Sequence, residues 1–190
     1  MNFASLISRF FDPLVGFTFL FFLMAFRGGV IGWNLVFMMI ILFCTLILPP
    51  AILLLWAVKT KRISNWDISD RKQRVRALLI FACFLILDYF VVQSIGTSLM
   101  SKIFIALLFL FSGFLAITLF WKISGHMTNA TFIISLLLYW YGVSVLPLVL
   151  ILPILAWSRV ALKRHTMGEV IGGVVYPIMV FFLARELHLI

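Results

Sequence analysis

The sequence predicts an all-α fold: a polytopic bundle of about six transmembrane helices, within a range of five to seven, forming a single integral membrane domain over residues 1–190. Hydrophobic residues make up 65% of the chain and charged residues 11%, whereas soluble proteins average about half and about a quarter. The apolar residues fall in long charge-free runs, and a helix needs about 20 of them to cross a bilayer. This composition excludes a water-soluble fold.

The N-terminal part predicts an interfacial segment followed by two apolar segments. In residues 1–12 the apolar side chains recur at helical spacing, with Arg9 and Asp12 on the polar side, which is typical of a helix that lies in the membrane interface. A short apolar segment covers residues 13–26. The charge-free run of residues 28–58 is interrupted by two consecutive prolines but is long enough to span the bilayer.

A basic polar loop is predicted at residues 59–76, because seven basic and two acidic side chains in 18 positions are too costly for a bilayer core. Residues 77–95 and 103–121 are the next two spans, and their short connection predicts an antiparallel hairpin. Asp88 lies within the first of these spans. A carboxyl at that depth predicts either a function or pairing with a basic or hydroxyl partner.

The C-terminal part contains two further apolar stretches. Residues 127–157 are divided by Gly142 and Pro147, either of which would mark a reversal of the chain. The last apolar stretch is residues 170–184. Close helix packing is predicted at three glycines, Gly168, Gly172 and Gly173.

The polar segments converge if each apolar segment crosses the membrane once, because residues 59–76, 122–126 and 158–165 then share one face. Twelve of the fifteen basic residues lie on that face, and the positive-inside bias predicts that it is the cytoplasmic face of the inner cell membrane. The net charge of +9 therefore indicates contact with anionic headgroups or a phosphorylated ligand rather than with nucleic acid.

Two short polar segments on this face carry side chains suited to phosphate chemistry. Ser124-Gly125-His126 is predicted to open a helix, and the first backbone N–H groups of a helix favour an anion. Ser158-Arg159 is followed by His165 and, four residues later, by Glu169. If this segment is helical, the last two share one face, where the carboxylate would orient the imidazole.

These segments resemble motifs two and three of the type 2 phosphatidic acid phosphatase superfamily of membrane lipid phosphatases. Motif two is matched by Lys122-Ile-Ser-Gly-His126, and motif three by Ser158-Arg159, five residues, His165, three residues and Glu169. The resemblance covers roughly residues 59–184, and residues 122–184 carry the two clearest motifs. The 31 residues between His126 and Ser158 are a spacing typical of the family.

The chain departs from the family pattern at motif one, which is Lys, six residues, Arg-Pro. The corresponding segment, residues 70–77, has no lysine seven positions before an arginine, and Ala77 replaces the proline. Ile123 stands where proline usually precedes motif two, and Glu169 replaces the usual aspartate, which keeps the charge but lengthens the reach. The substitutes predicted for motif one are Arg71, Arg74 and Arg76.

The resemblance implies a chemistry that needs no metal ion and no other cofactor. His165 would attack phosphorus and form a phosphohistidine, with Glu169 holding the tautomer in which the other ring nitrogen is the nucleophile. His126 would protonate the departing oxygen and then activate the hydrolytic water. The implied phosphate-binding groups are Lys122, Ser124, Gly125, Ser158, Arg159, Arg71, Arg74 and Arg76.

The implied substrate is a lipid phosphate or diphosphate: phosphatidic acid, phosphatidylglycerol phosphate, or a polyprenyl phosphate or diphosphate. The implied partners are this substrate and the surrounding membrane lipids, and the oligomeric state stays open. Two other classes of function also stay open. One is a non-catalytic lipid-phosphate-binding protein of the same fold, and the other is an anion or lipid transporter that uses Asp88 and the basic loop.

The segment Asp67-Ile-Ser69-Asp70 allows two interpretations. It is loosely similar to the aspartate-rich motifs with which membrane prenyltransferases bind magnesium diphosphate. Since the chain has one such pair, we favour a helix cap formed by Asp70 or Ser69, which would begin the helix that carries the motif-one arginines.

Overall fold

The structure, a computed structural model, describes residues 3–63, 68 and 70–190. Among these residues every regular element is a helix, and six helical stretches are long and apolar enough to cross a membrane. The predicted all-α, multi-pass membrane fold is thereby confirmed. The chain divides into two compact units: the first comprises residues 1–17, 120–188 and 190, and the second comprises residues 18–119 and 189.

Nine α-helices lie within the described residues. In chain order they are α1 (Phe3–Phe10), α2 (Pro13–Arg27), α3 (Gly32–Leu42), α4 (Leu48–Lys59), α5 (Arg71–Ile95), α6 (Ser98–Thr118), α7 (Gly125–Tyr141), α8 (Ile151–Ala161) and α9 (Met167–Glu186). A π-helical turn, Phe43–Ile47, joins α3 to α4, and a 3₁₀ segment, Gly142–Leu150, joins α7 to α8. The helices α1 and α2 together form one of the six apolar stretches.

In the second unit, the predicted span at residues 28–58 contains a widened turn near its middle. Pro49 and Pro50 occupy the first turn of α4 and lack the N–H groups that would bond carbonyls one turn earlier. The π-helical turn at Phe43–Ile47 directly precedes them, because a helix accommodates such missing bonds by local distortion. The two prolines therefore distort this span without ending it.

The C-terminal part of the basic segment predicted at residues 59–76 is helical, as the favoured cap at Asp70 predicts. The Asp70 side chain caps α5 by accepting a hydrogen bond from the Gln73 backbone N–H at 2.8 Å. The 25 residues of α5 measure about 37 Å at 1.5 Å per residue, which exceeds a hydrocarbon core of about 30 Å. The first turns of α5, which carry the arginines, thus account for the length that exceeds the hydrocarbon core. Asp67 and Ser69 lie outside the described residues.

The helices α5 and α6 form the predicted hairpin of the second unit. They follow one another through a short turn and pack together, and the rings of Phe81 and Phe111 lie 5.2 Å apart between centroids. Asp88 of α5 is fully buried and accepts a hydrogen bond from Thr45 Oγ1. This hydroxyl partner agrees with the pairing interpretation of the mid-span carboxyl.

In the first unit, the chain reverses between α7 and α8. Gly142 ends α7 with a φ of 63°, a conformation that glycine adopts without steric cost, and the 3₁₀ segment follows. Met127 at the start of α7 shares a buried cluster with Leu155 of α8, Val170 at the start of α9 and Ile7 of α1. This cluster brings the starts of α7 and α9 to the middle of α8.

The helix α1 gathers Phe3, Leu6, Ile7 and Phe10 on one face, as the pattern in residues 1–12 predicts. It packs against α8, and its buried side is formed by Ala4, Ile7 and Ser8. Phe3 and Phe10 are exposed beside it. A small polar residue, Ser8, therefore lies within the buried side of α1.

Candidate functional site

The helix α7 begins as predicted. Ser124 is its N-cap, with extended backbone and with Oγ accepting the Met127 backbone N–H at 3.5 Å. Gly125 is the first helical residue and His126, which is buried, is the second. The first backbone N–H groups of a helix have no acceptor within the helix, and they lie at the positive end of the helix dipole. This turn is therefore suited to a negatively charged group.

His165 and Glu169 are in contact as expected, although His165 lies outside the helix, so the condition under which they would share a helical face is not met. The helix α9 begins at Met167 with Thr166 as its N-cap, and His165 precedes it. Glu169 Oε2 lies 3.0 Å from His165 Nδ1 and also accepts the Thr166 backbone N–H at 3.0 Å. Because the carboxylate folds back as half of a capping box, its longer reach serves the imidazole and the helix start together.

Two hydrogen bonds join the motif-two segment to the motif-three segment. The Ser124 backbone N–H donates to the Glu169 carbonyl oxygen at 3.0 Å, and Lys122 Nζ donates to the Arg164 carbonyl oxygen at 3.0 Å. The two segments therefore meet at one end of the first unit. Ser124 was expected to bind phosphate, but its backbone N–H donates to the protein's own backbone.

Ser158 and Arg159 both contact α1, which the sequence did not lead us to expect. Ser158 Oγ donates to the Ala4 carbonyl oxygen at 2.7 Å, and Arg159 Nη1 donates to Ser8 Oγ. Both motif-three residues are buried, as is Ser8. The one signal in the sequence was Ser8 itself, a small hydroxyl residue one turn after Ala4 in a mostly apolar helix.

Asp12 lies beside His126, with 4.0 Å between Asp12 Oδ2 and His126 Nε2. Its other oxygen, Oδ1, accepts the Leu14 backbone N–H at 2.9 Å, so the side chain also caps α2. The sequence placed Asp12 on the polar side of an interfacial helix. Its position beside a histidine more than 100 residues later depends on tertiary packing, for which the sequence carries no local signal.

The three arginines predicted to replace motif one belong to the second unit, whereas the other candidate site residues belong to the first. Arg71 and Arg76 are exposed on the first turns of α5. Arg74 is buried, and its Nε donates to the Ile68 carbonyl oxygen at 3.4 Å. Within the second unit, Arg74 therefore ties the start of α5 to the chain before it.

One end of the first unit thus collects the groups that nucleophilic and acid–base chemistry on an anion requires. The carboxylate at His165 Nδ1 favours the tautomer in which Nε2 carries the lone pair. His126 stands at a helix start and Arg159 supplies a buried guanidinium. In the described part of the chain, no three His, Cys, Asp or Glu side chains gather as a set of metal ligands.

A tight contact between α7 and α9 holds this end together at Gly173. A Cβ built on Gly173 would lie 2.8 Å from the Ser124 carbonyl oxygen and 2.9 Å from Met127 Cβ, whereas one on Gly168 would meet only a Trp121 ring carbon at 3.8 Å. The first contact is with a backbone atom, which cannot easily move aside. The predicted close packing is present at Gly173 and, against the side chains of Trp121 and Ile123, at Gly172, but not at Gly168.

We expect Gly173→Ala to lower the free energy of unfolding by about 1–3 kcal/mol through overpacking, and to reduce any activity of the site because Ser124 must move. Gly168→Ala is the matched control. It should be neutral or slightly stabilising, because alanine favours a helix. Thermal unfolding in detergent measures both, and equal melting temperatures for the two variants would contradict the contact.

Comparison with known proteins assigns no family. No family model, curated protein or solved structure matches the chain. The resemblance to the phosphatase superfamily therefore rests on the residues of motifs two and three.

Proposed function

We propose that the chain is a multi-pass membrane phosphatase that hydrolyses a lipid phosphate or diphosphate through a phosphohistidine intermediate. The observation that carries the proposal is the joining of motif two to motif three. Glu169 contacts His165 Nδ1 with its side chain and the Ser124 N–H with its carbonyl oxygen. One residue therefore links the proposed nucleophile to the helix start that bears His126.

In the first step His165 Nε2 attacks phosphorus and the bond between phosphorus and the lipid oxygen breaks. His126 gives its proton to the departing oxygen, so the lipid leaves as an alcohol or, from a diphosphate, as a monophosphate. Glu169 stabilises the positive charge that the imidazole gains while it forms the P–N bond. The product of this step is a phosphorylated His165.

In the second step water attacks phosphorus and the P–N bond breaks, releasing inorganic phosphate. His126, now neutral, takes the proton of the attacking water, which restores both histidines. Charge on the three phosphoryl oxygens is balanced by the Arg159 guanidinium, Lys122 and the first amides of α7.

The proposed substrate is a lipid, because apolar side chains are exposed along the membrane-spanning helices and the described residues include no large polar insertion. A lipid reaches a site at the membrane surface sideways from the bilayer, with its tail between helices. We place the chain in the inner cell membrane with the site on the cytoplasmic face, in accordance with the distribution of basic residues.

The test is phosphate release by purified protein in detergent micelles containing EDTA. Phosphatidic acid, phosphatidylglycerol phosphate and a polyprenyl diphosphate are compared with glycerol 3-phosphate, which has no lipid tail. We expect release from at least one lipid and much less from glycerol 3-phosphate. Release from none of the lipids would contradict the proposal.

A second candidate is a non-catalytic lipid-phosphate-binding protein of the same fold. It is favoured by the internal bonds of the predicted phosphate ligands: Lys122 to the Arg164 carbonyl, Ser158 to the Ala4 carbonyl and Arg159 to Ser8. This candidate predicts binding of phosphatidic acid to the protein without release of phosphate. The same assay, combined with a binding measurement, separates the two.

A further inference from the structure

We propose that Asp12, at the junction of α1 and α2, is the positioning residue of His126: its carboxylate holds the imidazole and stabilises the protonated form that gives its proton to the leaving group. This inference rests on the proposed function. It extends the site to an N-terminal segment that none of the three phosphatase motifs includes.

The Asp12 carboxylate is held in place from two sides. Oδ1 accepts the Leu14 N–H at 2.9 Å, which fixes the side chain against the start of α2, and Oδ2 then faces His126 Nε2 at 4.0 Å. The side chains of Asp12 and His126 are 20% and 10% exposed. The pair is therefore largely shielded from water, and the carboxylate acts on the imidazole with little screening.

The start of α2 is also anchored to α7 one turn beyond His126. Asn129 Nδ2 donates to the Pro13 carbonyl oxygen at 3.2 Å. Gly16 approaches the same side chain so closely that a Cβ there would lie 2.0 Å from Asn129 Nδ2. Because Asp12 directly precedes Pro13, these contacts keep its carboxylate in register with His126.

Each proposed catalytic histidine thereby has its own carboxylate. The first unit contains three acidic residues: Glu169 contacts His165, Asp12 faces His126, and Glu186 is exposed at the end of α9. Arg159 of α8 bonds Ser8, His165 pairs with Glu169, and Lys122 bonds the Arg164 carbonyl oxygen. Asp12 is the carboxylate placed to act on the acid–base histidine.

The substitution Asp12→Asn separates this role from helix capping. Asparagine caps a helix about as well as aspartate, so the bond to the Leu14 N–H and the fold are retained while the negative charge is lost. His126 then binds its proton less tightly. We expect the basic limb of the pH profile of kcat/KM, which reports the acid in the free enzyme, to move to lower pH by about one unit.

The second readout is independent of turnover. With three histidines in the chain, ¹⁵N-histidine NMR assigned through His165→Gln and His188→Gln follows each imidazole. In Asp12→Asn the titration midpoint of His126 should fall by about one pH unit, with His165 unchanged. Glu186→Gln, which removes one exposed carboxylate at the far end of α9, is the control and should leave both readouts as in the wild type.

The outcomes distinguish this inference from the proposed function. Wild type that releases no phosphate from any lipid overturns the proposed function. An active wild type whose kcat/KM profile superimposes on that of Asp12→Asn overturns the positioning role alone. A shift of the basic limb together with the His126 midpoint supports it.

Discussion

Replacement of His165 by glutamine is expected to abolish phosphate release, by a factor of at least about a thousand in kcat, because the proposed nucleophile is lost. Glutamine keeps a polar side chain of similar length beside Glu169, so we expect the fold to persist. The measurement is the initial rate of phosphate release from the best lipid substrate, together with the melting temperature in detergent.

The control for this substitution is His188→Gln. His188 is exposed beyond the end of α9 and should be replaceable with no change in rate. If His165→Gln retained more than a few per cent of the wild-type rate, His165 would not be the nucleophile. The site would then be limited to binding, or the chemistry would belong to another residue.

Replacement of Arg159 by methionine is expected to lower kcat by about 10²–10³-fold, since one charge-stabilising donor of the transition state is removed. Methionine fills much of the space left by the arginine stem. Arg159 is 1% exposed, and the substitution removes the desolvation cost of a buried charge. Activity should therefore fall while the melting temperature stays within a few degrees of the wild type.

The matched control is Arg9→Met, because Arg9 is an exposed arginine on α1 in the same unit. It should leave both the rate and the melting temperature unchanged. An active Arg159→Met would contradict the role of the guanidinium. In that case its bond to Ser8 would serve only to hold α1 against α8.

The fold was predictable because its signals are local. A long run without charged residues identifies a membrane span, and the cap residues Asp70 and Ser124 identify helix starts. The reversal at Gly142 follows from a conformation that glycine favours. The helix over residues 71–76 follows from the favoured cap at Asp70, whereas the Thr166 cap leaves His165 outside α9, which the sequence did not predict.

The candidate site was predictable in part. His126, His165 and Glu169 were visible because their spacing is similar to that of a known family. The contributions of Ser8, Asp12 and the Ala4 carbonyl oxygen were not, because they come from segments more than 100 residues away in the chain and are ordinary residues by type. Contacts of this kind depend on how α1 and the start of α2 pack against α7 and α8.

The most direct test of the proposed phosphohistidine intermediate is detection of phosphate on His165. The His126→Gln variant is mixed with a ³²P-labelled aryl phosphate lipid analogue, whose leaving group needs no protonation, and is then quenched and digested. Since hydrolysis of the intermediate requires His126, we predict acid-labile, base-stable label on the peptide that contains His165, and none in a variant that also carries His165→Gln. Turnover by the wild type without label at His165 in this experiment would contradict the account.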